Sequence, residues 1–250
     1  MRIVAIVQAR MTSTRLPNKV LLPLVGIPVL EHVVTRLRFA KLLNEIVVAT
    51  SLDATDNPIA EFCQAKRINC YRGSLADVLD RYYKAATHFE ADAIVRITAD
   101  CPAIDPEVVD EVINAFISGD YDAYSLAGEF PDGLDCQVFS YSAIARAWRE
   151  ASLPSEREHV GPYIEKSHPE LFKIGGLYKF TGLSHHRWTL DEKRDYSFLK
   201  KVFEQLYRPN KPFLTQDILD LLHRQPKLIE INAGITRNAG YLKSIQLEQV

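Results

Sequence analysis

RIVAIVQARMTSTRLPNK, residues 2–19, sets the fold class. Its first part, RIVAIV at 2–7, is a short, β-branched apolar run that stops abruptly at a polar, basic loop. Apolar residues at consecutive positions over so short a run predict a strand buried on both faces. Downstream the same alternation repeats. The spacing predicts a helix over 28–42, with Val29, Val33, Leu37 and Ala40 on one face and Pro28 near its start. A second buried strand follows at 45–50 (EIVVAT). A helix is expected over 58–67 with Ile59, Phe62 and Cys63 inward, then a short strand over 68–71. Val78, Tyr82, Ala86 and Phe89 form the stripe of a helix over 75–89. AIVRIT at 93–98 is a third strong strand, and 106–117 a further helix opened by Pro106.

Strand and helix alternating in this way imply crossover units: an α/β fold in three layers, with a mostly parallel central sheet and helices on both faces. Beyond residue 120 the pattern loosens. DAYSLA and CQVF read as strands around the turn GEFPDGLD, and SAIARAWREA as a helix. Residues 155–170 are polar and then amphipathic, 172–180 read as a strand, and 196–207 and 216–225 as helices. No linker, repeat or low-complexity segment divides the chain. The expectation is one domain over 1–250 with an elaborated middle section, a small inserted lobe at about 127–190.

Composition bounds the function classes. The 250 residues are 47% hydrophobic and 25% charged, the ordinary globular mix, which excludes disorder, coiled coil and collagen. With 30 basic and 32 acidic side chains the net charge is −2, which argues against a general nucleic-acid binder. No apolar run is long enough to span a membrane, and the N-terminal stretch ends in Arg10 without a signal-peptide cleavage pattern. A cytoplasmic location is therefore expected. Cys63, Cys70, Cys101 and Cys136 are scattered without CxxC spacing, which reads as reduced thiols and not a zinc site.

Parallel sheets bind ligands outside the carboxyl ends of their strands, so the residues just after 7, 50 and 98 matter most. The loop after the first strand carries Arg10, Thr12, Ser13, Thr14, Arg15 and Lys19, three cations and three hydroxyls within ten residues. Hydroxyls and loop amides donate to phosphate oxygens, arginine offers a planar fork and lysine a compact charge. The loop is neither GxGxxG nor a Walker motif. The alternative is a solvated basic turn, but its position favours a phosphate site. Asp100, just past the third strand, is placed to hold a hard cation bridging phosphates; the plainer reading is a capping residue before Pro106. Cys101 has no histidine in a recognisable pairing pattern, which disfavours a nucleophile.

With these segments in hand, IVQARMTSTRLPNKVLLPLVGIPVLEHVVTRL (6–37) resembles the cytidylyltransferases that activate acidic sugars. Within them it is most similar to the spore-coat polysaccharide biosynthesis protein F branch, itself related to the CMP-Kdo and CMP-sialic acid synthetases. RGSLADVLDRYYKAA, VRITADCPAIDPEVVD, FPDGLDCQVFSYSAIARAW, EREHVGPYI, RWTLDEKRDYSFLKKV and RNAGYLKSI extend the resemblance over nearly the whole chain. It implies a Rossmann-like nucleotidyltransferase fold and transfer of CMP from CTP to an acidic or modified sugar, with Mg²⁺, in a homodimer. Alternatives on the same fold are another nucleoside triphosphate with a sugar-1-phosphate, or a non-catalytic nucleotide-binding subunit.

The resemblance also implies roles. Arg10, Ser13, Arg15 and Lys19 match the motif gripping the CTP phosphates, with Lys19, Arg10 and Asp100 catalytic. Asp100 matches the first metal ligand. Asp191 resembles the second, although Glu192-Lys193 replace the Thr-Pro that usually follows. Arg72, Ser74 and Asp77 resemble the part near the nucleotide base, and Arg96 and Thr98 flank the same pocket. The CMP-Kdo enzymes carry Gln where Thr98 stands. Gly133, Asp135 and Gln137 match a segment near the acceptor, where the family often has Glu in place of Gln137. His159 and Tyr163 match a motif without an assigned role. His185-His186 reads as a polar edge beside Trp188, and Tyr82, Tyr83 and Trp148 as core or interface. Residues 155–180 are the candidate subunit contact.

Overall fold

The computed structural model describes residues 1–248. Strand β1 (Ile3–Gln8) is an interior strand of a seven-stranded sheet, and every residue from Ile3 to Val7 is buried. Ile3, Ala5 and Val7 face one hydrophobic layer and Val4 and Ile6 the other, the two-residue period of a strand covered on both faces. The other strands are β4 (Glu45–Ser51), β5 (Asn69–Gly73), β6 (Ala93–Thr98), β7 (Ala123–Gly128), β8 (Gln137–Ser140) and β9 (Ile174–Phe180), with the two-residue strands β2 (Pro23–Leu24) and β3 (Ile27–Pro28) forming a separate hairpin. The sheet order is β5-β4-β1-β6-β8-β7-β9. β8 pairs antiparallel with both β6 and β7, and every other pairing is parallel. Six strands therefore end at one edge, where β8 begins.

Helices α1 (Val29–Leu37), α2 (Asn57–Lys66), α4 (Pro106–Gly119), α7 (Lys193–Leu206) and α8 (Thr215–Arg224) bury their apolar sides in one layer. Helices α3 (Val78–His88) and α5 (Tyr141–Glu150) fill the other, joined by Val160 at the end of α6 (Pro154–His159). Three layers with a mostly parallel sheet match the sequence reading. The chain moves outward from β1 through β4 to β5, then returns to pair β6 against the free side of β1. That reversal opens a crevice between the ends of β1 and β6, the switch point at which such sheets hold ligands.

Several boundaries differ from the periodic pattern for tertiary reasons. The first helix stops at Leu37 and not 42, because the amides of Lys41 and Leu42 donate to the Asp110 carboxylate on α4 at 2.8 and 2.9 Å. Helix α3 starts at Val78 and not 75, where the Asp77 carboxylate accepts from the Asp80 amide at 2.9 Å. The middle section places β8 and β9 in the main sheet and α5 against its face. The last helix, α9 (Ala239–Glu248), follows Asn238 in the left-handed region (φ 56°) and packs on α6; the periodic pattern gave no sign of it.

Candidate active site

The loop after β1 is tied down from below. The Ala9 amide donates to Ala49 O, and the Met11 amide to the buried Asp56 carboxylate at 2.7 Å. Asp56 also accepts from the amide and hydroxyl of Ser51. Asn18 takes a left-handed turn (φ 60°) that brings Lys19 back over the sheet edge. Across from it, the Leu190 amide donates to Asp100 O at 2.8 Å, joining the segment before α7 to the end of β6.

These ties bring Lys19, Asp100 and Asp191 together. Lys19 Nζ donates to Asp100 Oδ2 at 2.5 Å and to Asp191 Oδ1 at 2.7 Å, although the residues lie 81 and 172 positions apart. Burial alone disfavours the Lys19 ammonium, but the two carboxylates outweigh it and raise its pKa. Burial likewise opposes the Asp100 carboxylate, yet Lys19 and the Thr98 hydroxyl hold it down at about 2. Arg15 reaches the other oxygen of Asp191 at 2.9 Å and Glu192 at 3.6 Å. Arg10 stands half exposed, 3.8 Å from Glu158. Ser13, Thr98, Asp135 and His159 line the same cleft of about 400 Å³, a volume suited to a small ligand.

The structure does not bring Arg72, Ser74 and Asp77 into this cleft. The Arg72 guanidinium is captured by Ser51 O at 2.8 Å and Asn57 Oδ1 at 2.8 Å. Ser74 Oγ accepts from the Asp77 amide, and Asp77 caps α3 and pairs with Arg157. All three are spent on local structure, and their neighbours Leu75, Val78 and Arg81 line the cleft instead. Gln137 sits behind the cleft wall, accepting from Arg96 at 2.8 Å and donating to Glu165 at 2.8 Å. The charge absent from position 137 is thus supplied next to it by Glu165. Tyr163 is buried, with its hydroxyl on Glu150. Tyr82 is core, donating to Ile6 O, and Tyr83 stacks on Trp148 at 4.2 Å, away from the cleft. His186 is buried beside Trp188 and not at a polar edge, and that burial pushes its pKa down to about 4. Burial raises the Cys101 thiol well above its ordinary range, which disfavours the thiolate that nucleophilic attack needs.

A second charged wall was not foreseen. Gly133 (φ 103°) lies so close to Trp188 and Thr189 that a Cβ there would stand 2.6 Å from their backbone. This approach aligns 132–135 with 186–189. Buried Arg187 then forks onto Asp195 at 2.9 and 3.0 Å, and reaches Asp132 at 2.6 Å and Asp191 at 3.2 Å. Asp195, fully buried, also accepts the amides of Asp191 and Glu192 at 3.0 Å each, which opens α7 and fixes where Asp191 points. Burial and the neighbouring Asp135 raise Asp132 to about 7 against the pull of Arg187 and Arg237. The charged spacing of RWTLDEKRD was the available signal for Arg187, while Asp195 is the residue that the resemblance retains in that segment. Asn238, Gly240 and Tyr241, from the start of α9, close the far side of the cleft.

Among the described residues no cluster of three or more His, Cys, Asp or Glu side chains could hold a metal by itself, and no helix is long and apolar enough to cross a membrane.

Residues 4–221 match the family model described as cytidylyltransferase. The chain is 33% identical over 233 residues to the spore coat polysaccharide biosynthesis protein SpsF of Bacillus subtilis, covering 90% of this chain and 95% of that protein. Over 120 residues it is 35% identical to the 3-deoxy-manno-octulosonate cytidylyltransferase of Geobacter metallireducens, 47% of this chain and 46% of the other. Among solved structures, a cytidylyltransferase from Leptospira borgpetersenii superposes with a TM-score of 0.87 at 32% identity, over 95% of this chain and all of that one. CMP:2-keto-3-deoxy-manno-octonic acid synthetase complexed with CTP shares the fold, with a TM-score of 0.62 at 15% identity over 83% of this chain and all of the other.

Proposed function

The chain belongs to the cytidylyltransferase family, and from that premise we propose that it transfers CMP from CTP to an acidic or modified sugar, with release of pyrophosphate, in surface polysaccharide biosynthesis. One observation carries this reading: Lys19 bridges Asp100 and Asp191 in the cleft whose rim holds Arg10, Ser13 and Arg15. A sugar oxygen attacks the α-phosphorus in line with the departing pyrophosphate. Such a reaction depends on positioning and charge neutralisation. Arg15 and Ser13 orient the β- and γ-phosphates. Lys19 and Arg10 neutralise charge that builds on the α-phosphate and the leaving group.

Asp100 and Asp191 are the pair that would hold Mg²⁺. Two carboxylates from separate segments face one cation position, and an ion bound by one or two carboxylates completes its shell with phosphate oxygens and water. Such an ion supplies charge neutralisation to the phosphates when bound. Lys19, donating to both carboxylates, offsets their mutual repulsion. The acceptor lies toward Asp135, His159 and Tyr241 in this reading, and the enzyme works as a cytoplasmic homodimer. Tyr178, 78% exposed on edge strand β9, supports a contact through 155–180.

The test is a pyrophosphate-release screen of CTP, UTP, GTP and ATP with Mg²⁺ against 2-keto sugar acids and sugar phosphates. Turnover with CTP and a 2-keto acid is expected. Faster turnover with another nucleotide and a sugar-1-phosphate would overturn the reading.

A further inference from the structure

Five buried side-chain polar atoms lack a hydrogen-bond partner among the described residues: Gln8 Oε1, Thr50 Oγ1, Arg81 Nε, Arg96 Nε and Trp188 Nε1. Buried polar groups are nearly always paired, so a local concentration of exceptions points to a missing ligand. Three of the five, on Gln8, Arg81 and Arg96, belong to residues that line the cleft. Arg96 is tied through Nη1 to Gln137 on the β8 side of β6. Gln8, at the end of β1, and Arg81, on α3, lie on the β1 side of β6.

Their placement is rigid. Helix α3 packs on β1, β4 and β5. The Tyr82 hydroxyl pins it to the strand ends, donating to Ile6 O at 3.0 Å with Ile97 O 3.3 Å away. Arg81, the preceding residue, is 2% exposed. Its Nη1 donates to Ser74 O at 2.7 Å, and its Cγ lies 3.1 Å from where a side chain on Gly73 would begin. Gln8 ends β1 opposite Thr98. Leu75 and Val78 add an apolar wall.

The free groups are therefore one acceptor and one fixed donor beside an apolar wall. We propose that Gln8 and Arg81 read the base of the nucleotide: Gln8 Oε1 accepts from the 4-amino group of cytosine, and Arg81 Nε donates to N3. The inference rests on the cytidine-donor reading above and specifies how the base is chosen. Uracil presents N3–H where cytosine presents a lone pair. A guanidinium cannot accept a hydrogen bond, so uracil would leave buried donors face to face. The apolar wall takes the face of the ring.

The test measures binding of CTP, UTP and the triphosphate of the pyrimidin-2-one riboside, which lacks only the 4-amino group, to native protein, Gln8→Met and Gln8→Glu. Native protein is expected to prefer CTP over both others by at least tenfold. Gln8→Met should bind CTP and the pyrimidin-2-one within about twofold, with an unchanged far-UV circular dichroism spectrum as the check on folding. Gln8→Glu keeps the acceptor and should keep the preference. Full preference in Gln8→Met overturns the inference and leaves the donor reading intact. No preference for CTP over UTP in the native protein overturns both. The native comparison of CTP with the pyrimidin-2-one needs no substitution, so equal binding there also refutes a role for Gln8.

Discussion

On one wall of the cleft Arg10, Arg15 and Lys19 come from a single short loop, with Arg10 and Arg15 reaching only carboxylates at the cleft rim. On the other, Arg187 is enclosed by Asp132, Asp191 and Asp195, and its side chain is 6% exposed. The first wall holds charge where a ligand can reach it. The second satisfies its charges internally and aims one of them, Asp191, across the gap at Lys19. Separating these two uses of charge separates residues that handle substrate from residues that set the geometry.

The largest effect should follow from breaking the second wall. Arg187→Met leaves Asp195 and Asp132 buried without their cation, and removing one partner of a buried ion pair costs about 3–5 kcal/mol. For a chain of this size that lowers the thermal midpoint on the order of 10 °C. A change of under about 2 °C in a melting experiment would show that the second wall does not set geometry. On the first wall the balance should invert. Lys19→Ala and Asp100→Ala break a pair that is less enclosed than Arg187 and its carboxylates, so each should still fold and should lower the melting midpoint by less than Arg187→Met does. Each should nevertheless lose pyrophosphate release from CTP by about 10² or more, the size of effect expected when one stabilising charge leaves a transition state. Near-native turnover in either variant would remove Lys19 or Asp100 from the chemistry.

The same contrast explains what was legible in the sequence. β1, β4 and β6 are buried on both faces, so each appears as a continuous apolar run with a sharp end, and the loop and Asp100 stand just beyond those ends. Lys19 and Asp100 could be named because sheet topology alone brings strand ends together. Arg187 and Asp132 meet across 55 residues through an irregular approach at Gly133, and no spacing encodes such a meeting. Arg72 and Asp77 are the opposite case. Only the family resemblance set them near the nucleotide base, and in the structure backbone carbonyls hold one while a helix start uses the other. Arg81 escaped notice because on the stripe of α3 it reads as a solvated neighbour of Tyr82, whereas it is buried.

The smallest predicted effect uses pH to set the walls against each other. Asp100 has a folded pKa of about 2 against an ordinary 3.8, so its contribution to stability is present above pH 4 and lost as pH falls through 2. Asp132 has a folded pKa of about 7 against the same 3.8, so the folded protein holds its proton more tightly than the unfolded chain does. Its contribution is therefore full below pH 4 and is lost as pH rises through 7. Asparagine mimics the protonated form of Asp132 and cannot titrate. Relative to the native protein, Asp132→Asn should be least stable at pH 4 and below, should gain steadily between pH 4 and 7, and should level off above 7, in thermal melts at constant ionic strength. A native-minus-variant difference flat between pH 5 and 8 would mean that Arg187, 2.6 Å away, outweighs burial and keeps Asp132 ionised throughout. The second wall would then carry a full carboxylate at Asp132 near pH 7, and the cleft would be about half a unit more negative than the raised pKa implies.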